Sequence, residues 1–274
     1  MIEARHSIPR RNPVGTLSAL AGILAIVAAT GCVSVNHLRD AQESFNQAAA
    51  AENALRLEST TPIDASGGGT LAAWSSARNG YASALLSLEK LEAADRQRLR
   101  QDGLWGTALT LKALSQWRLG HFDGALATAV EARETAADQI YPRDQALLWA
   151  LPGLIKTDQA YHKILRGNSL PEVEALLIGA NGAISDIQSA RKLAETDHPV
   201  HQYLLQAKLA AYRNFQVALD RLQNHATVPV DHSARVEANA DLKELDRLLK
   251  ARNTGTDGGN LVEYWATLCA LDPP

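Results

Sequence analysis

From Asn36 to about Leu57, apolar and small residues return every three or four positions, through Ala41, Phe45 and Ala48. That spacing is the period of one buried helix face. The rhythm stops between Ser59 and Thr70, where a proline and three consecutive glycines mark a loop. It resumes at Leu71 in segments we place at about 71–93, 103–119, 122–138, 143–166, 171–195, 198–223, 232–251 and 259–270. The breaks fall at Gly120, Pro142, Gly167 to Pro171, His198-Pro199, Thr227 to Pro229 and Thr254 to Gly259. Pro142, Pro171 and Pro199 sit in or near first helical turns, where the missing N–H costs nothing. Pro152 lies within an apolar stretch and predicts a kink or a split in that helix. Strand-like alternation of β-branched residues is nearly absent, so the chain reads as all-α, built of antiparallel helical hairpins joined by short connections.

The first 31 residues follow a different rule. Arg5, Arg10 and Arg11 precede an almost wholly apolar or small stretch, Val14 to Ala29, and Ala29-Thr30-Gly31 lead to Cys32. This order predicts a cleaved secretory signal, residues 1–31. A retained span needs roughly 20 apolar residues, more than this run holds. The plainer alternative is an ordinary secreted protein cut nearby, with Cys32 a bystander. Ala29-Thr30-Gly31-Cys32 resembles the lipobox of bacterial lipoproteins, departing from it at Ala29, where that family most often has Leu. The resemblance implies a diacylglycerol on the Cys32 thiol and an acyl chain on its new amino group. Several chains hold a soluble body to a bilayer stably, whereas one does so marginally. Val33 and Ser34 follow, without the Asp that retains such lipoproteins at an inner membrane. The expected location is therefore the cell envelope, at the periplasmic face of an outer membrane. The corresponding domain plan is a lipidated N-terminus and first helix at 32–58, a Gly-rich linker at 59–70 and a helical domain at 71–274.

Composition narrows the rest. Without the leader, 24 basic side chains face 29 acidic ones, interspersed along the chain. That balance carries no electrostatic footprint for nucleic acid. Met1 is the only methionine, so a Met-rich adaptable groove is excluded. With Cys32 lipidated, Cys269 has no partner in the chain. Leu261, Val262, Trp265, Leu268 and Cys269 recur at helical spacing, which puts Cys269 on a buried face.

The stretch Ala108–Ala132 carries the clearest internal pattern. Ala125 and Ala132 lie two turns apart on one face, Gly120 permits a left-handed turn, and Phe122 follows it. The unit resembles a tetratricopeptide repeat, with Ala113 at the small position of the first helix, Gly120 at the turn, Phe122 as the aromatic, and Ala125 and Ala132 as the small residues of the second helix. Asn79-Gly80-Tyr81 with Ala84, Leu88 and Leu91 reads as a fainter copy, as do Ala41/Phe45/Ala48 and Ala211/Phe215/Ala218. The resemblance implies a right-handed array whose first-helix face binds peptide or protein, with Thr107, Thr110, Leu111 and Gln116 as the partner-binding candidates. An irregular α-bundle whose alanine faces imitate the repeat is the alternative.

Candidate chemistry is sparse. Asp197, His198 and His201 are the densest metal-like group, but AspHisPro is also a natural helix start and no cysteine or HExxH supports it. No nucleophile elbow or P-loop is present. The expectation is a non-enzyme without metal or cofactor, apart from the lipid on Cys32: a membrane-anchored protein-protein interaction adaptor in the envelope. A helical lipoprotein that binds a small ligand or the cell wall, with or without catalysis, is the competing class.

Overall fold

The computed structural model describes residues 33–58, 68–164, 169–195, 199–223, 233–251 and 255–271. Among them the chain is all-helical: α1 (Val33–Glu58), α2 (Gly68–Glu89), α3 (Ala93–Gln101), α4 (Trp105–Arg118), α5 (Phe122–Thr135), α6 (Pro142–Ile164), α7 (Leu170–Arg191), α8 (Pro199–Gln223), α9 (Ser233–Ala251) and α10 (Gly255–Leu268), with a 3₁₀ turn at Ala137–Gln139. Consecutive helices pack in pairs, and α2, α4, α6 and α8 also pack each on the next.

Alanine and glycine set how closely the pairs approach. A Cβ on Gly80 would lie 2.8 Å from Ala48 Cβ and 3.0 Å from the Ser44 carbonyl oxygen. Gly80 is thus the close-contact point of α1 and α2, in mid-helix. The upstream repeat copy that assigns Asn79-Gly80 to a turn is corrected: the buried faces of Ala77, Tyr81, Ala84 and Leu88 carry the helix through. Gly153 plays the same part in α6, where a Cβ would meet Ile187 Cγ1 at 2.8 Å and the Ala183 carbonyl oxygen at 2.9 Å.

Other boundaries differ from the sequence reading for local reasons. The stretch left unassigned between the expected helices at 71–93 and 103–119 forms α3, whose start is held by a capping box between Glu92 and Asp95. Its composition hid it, because Leu99 is its one buried residue. The helix expected over 122–138 ends at Thr135, and the 3₁₀ turn follows. α10 starts at Gly255, inside the expected break. α6 is not split at Pro152, because Leu147, Leu148, Leu151, Leu154 and Ile155 are all buried around it. That packing offsets the roughly 3 kcal/mol an internal proline costs a helix.

One hydrophobic core runs from Leu38 in α1 to Leu271 beyond α10, and a small satellite gathers Ala160, Leu176 and Ala218. α1 belongs to this main core. It is therefore part of the helical body and not a unit set apart by the 59–70 segment.

Candidate functional site: a buried polar centre at Arg118

α4 is the central helix. Trp105 to Leu111, Ala113 to Ser115 and Trp117 are all buried. Its start is capped from outside: the Trp105 N–H donates to Gln139 Oε1 at 3.2 Å, and Gln139 Nε2 donates to the Arg100 carbonyl at 3.3 Å. Gly106 lets the 3₁₀ turn approach, since a Cβ there would lie 2.6 Å from the Gln139 carbonyl oxygen.

The other end of α4 carries Arg118. Its Nη1 lies 3.2 Å from Glu52 Oε1 of α1, with the two side chains only 10% and 6% exposed. Its Nη2 donates to the Tyr203 hydroxyl of α8 at 3.1 Å. Its guanidinium carbon stands 3.8 Å from the centroid of the Trp117 ring, a close cation–π contact. The Trp117 indole N–H donates to Asp158 of α6 at 2.7 Å. The Tyr81 hydroxyl of α2 donates to Glu52 Oε2 at 2.7 Å. Five helices thus send polar groups to one buried point. Burial opposes the charge of Arg118, but Glu52 and its other neighbours more than offset it, so its pKa is raised. Burial itself raises the Tyr81 pKa and keeps its hydroxyl a donor. The donors of Arg118 meet protein acceptors, so the arrangement locks helices together.

A second polar seam joins α7, α8 and α9. Lys208 Nζ lies 2.9 Å from Asp241 Oδ2 and 3.2 Å from Glu237 Oε2, and it donates to Gln188 Oε1 at 2.9 Å. Arg191 Nη1 meets Asp241 Oδ1 at 2.7 Å. His201 Nε2 is 4.0 Å from Glu244 Oε1, and Arg247 holds Glu244 with two hydrogen bonds. Burial, then Arg191, lowers the His201 pKa and favours its neutral form. His201 therefore serves the α8–α9 contact. Asp197 and His198 lie outside the described residues, and so does Cys32.

The predicted repeat residues meet in one hairpin. Ala113, Ala125 and Ala132 are fully buried, Gly120 has φ +82°, and Phe122 packs half-buried against the core. The predicted partner face is corrected. Thr107, Thr110 and Leu111 are 1%, 0% and 0% exposed, and the Thr110 hydroxyl donates to the Gly106 carbonyl. Gln116 is half-buried and accepts from Thr128 of α5 at 2.8 Å. These residues fail as a docking face because both sides of α4 are covered, by α2 and α6 as well as α5. Cys269 is buried, donates to the Leu209 carbonyl at 3.4 Å, and has its thiol pKa pushed up to about 12 by burial.

Sequence reasoning missed the Arg118 centre, because Tyr203 lies 85 residues from Arg118 along the chain. The usable signal was an arginine beside a tryptophan at the end of a helix with few charged residues. No protein-family model, curated protein or solved structure matches this chain.

Proposed function

We propose that the chain is an envelope lipoprotein, anchored through acyl chains on Cys32, whose helical body acts as an adaptor docking another envelope protein. The leader and Ala29-Thr30-Gly31-Cys32 support the anchor. The observation that carries the adaptor reading is the way α1, which begins one residue after Cys32, is built into the body. Leu38, Ala41, Phe45, Ala48 and Ala49 are buried in the shared core, and Glu52 pairs with Arg118. Such an anchor would hold the body rigidly instead of letting it drift, which suits a protein that positions a partner.

The partner face lies away from the covered α4. Between Ala175 and Ser185 the chain has no charged residue, and Ile178 is 75% exposed there. Crosslinking in cells followed by purification should recover one protein repeatedly, and Ile178→Asp should abolish that recovery without changing thermal stability. Recovery of lipid alone would sink the adaptor reading. Intact mass showing an unmodified Cys32 would sink the anchor.

A further inference from the structure

We propose that the end of the body formed by α3 and the start of α4 lies against the bilayer, with the exposed arginines of α3 among the lipid headgroups. This inference rests on the Cys32 anchor reading and adds to it the orientation of the body.

The orientation follows from three contacts along α4. Near the end of α1, Glu52 meets Arg118, the last residue of α4. At the opposite end of α4, Trp105 is tied through Gln139 to the Arg100 carbonyl of α3, and the Arg100 guanidinium stands 5.4 Å from the Trp105 ring centroid. α3 therefore marks the end of α4 far from Glu52. α1 also packs on α3, so its N-terminal half runs back toward that same end.

Helix rise puts scale on this. Trp105 and Arg118 are about 20 Å apart along α4 at 1.5 Å per residue, and the same length of α1, counted back from Glu52, reaches Arg39. Leu38 is already 2% exposed and fixed in the core. Only five residues, about 8 Å of helix, separate it from Val33, the residue after Cys32. An acylated Cys32 then has no slack with which to turn the body over. The end that carries α3 is pulled to the membrane, and the Gly120–His121 turn beyond Arg118 is held away from it.

What that end presents suits a headgroup layer. Arg96, Arg98 and Arg100 are exposed on α3, and Lys90 and the 56%-exposed Leu86 precede them. Glu89, Glu92, Asp95 and Asp102 balance these charges, so the contact is made by arginine–phosphate hydrogen bonds and not by net attraction. A zwitterionic phosphatidylcholine surface is enough for it.

The test uses the lipidated full chain in phosphatidylcholine vesicles that carry a lipid-bound energy-transfer acceptor. A maleimide fluorophore is placed on Gln97→Cys in α3 or on His121→Cys at the opposite turn, both positions being exposed. Cys269 is buried and does not compete for the label. Several-fold stronger transfer from position 97 than from 121, at matched circular dichroism, is expected. Equal transfer, or stronger transfer from 121, with acylated Cys32 seen by intact mass, overturns the orientation and leaves the anchor standing. An unmodified Cys32 overturns both. Arg96→Ser with Arg98→Ser should then reduce transfer from 97 while leaving it unchanged from 121.

Discussion

Asp144 is a carboxylate almost completely withdrawn from water, and that makes it sensitive to pH. It stands in the first turn of α6 at 1% exposure, and neither carboxylate oxygen has a hydrogen-bond partner. Burial raises its pKa from 3.8 to about 6, and nearby Arg143 only partly opposes this. The folded state then binds the proton more tightly than the unfolded one, so stability should rise as pH falls through about 6 and level off below the unfolded value. The corresponding difference is on the order of 3 kcal/mol. Thermal melts across this range should show that rise, and Asp144→Asn should be more stable than the parent at neutral pH and lack the Asp144 part of it. A parent curve that falls on mild acidification, with the variant following it, would refute the assignment. Cys269 is protonated for the same reason, and there burial governs reactivity. Its buried, high-pKa thiol should resist maleimide in the folded protein and react at once in denaturant. Labelling under native conditions would show that α10 opens.

At the scale of elements, glycines of one type have two different jobs. Gly106 has carbonyl oxygens of Gln139 and Ala136 within 2.8 Å of where a Cβ would stand, whereas Gly179 in α7 has nothing within 4 Å. Alanine has the higher helix propensity at both positions, by roughly 1 kcal/mol. Gly179→Ala should therefore stabilise by about 0.5–1 kcal/mol. Gly106→Ala should destabilise by about 1–3 kcal/mol, because the 3₁₀ turn has to retreat and the Gln139 cap on Trp105 loosens. Denaturant melts of the two variants should move in opposite directions. A shared direction would mean that helix propensity outweighs the close approach of the turn. The same contrast explains why Asn79-Gly80 in the sequence resembles a turn while the folded chain uses it in mid-helix: the glycine is there for Ala48 and Ser44.

For the whole molecule, the pair Glu52–Arg118 ties α1 to the end of α4 and thence to α2, α6 and α8. Removing one partner leaves a buried charge uncompensated, so Arg118→Met or Glu52→Gln should destabilise by about 3–5 kcal/mol. The double variant should lose far less than the two single losses added together. Hydrogen exchange in α1 should accelerate in either single variant, reporting whether the anchor-bearing helix is held by this pair. Additive losses would place the two residues in separate roles.

What could be read along the chain was whatever local spacing controls. Helical period, proline and glycine placement, the hairpin of Ala108–Ala132 and the buried face of Cys269 all depend on residues within a few turns of one another. α3 escaped because a short helix with a single buried leucine has no apolar period to detect. The covering of Thr107, Thr110 and Leu111, the mid-helix use of Gly80 and Gly153, and the meeting of Glu52, Tyr81, Arg118, Asp158 and Tyr203 were settled only by tertiary packing. Helix period tells which residues share a face. Which other helix covers that face, and how closely, depends on side-chain volumes that meet only when distant segments come together.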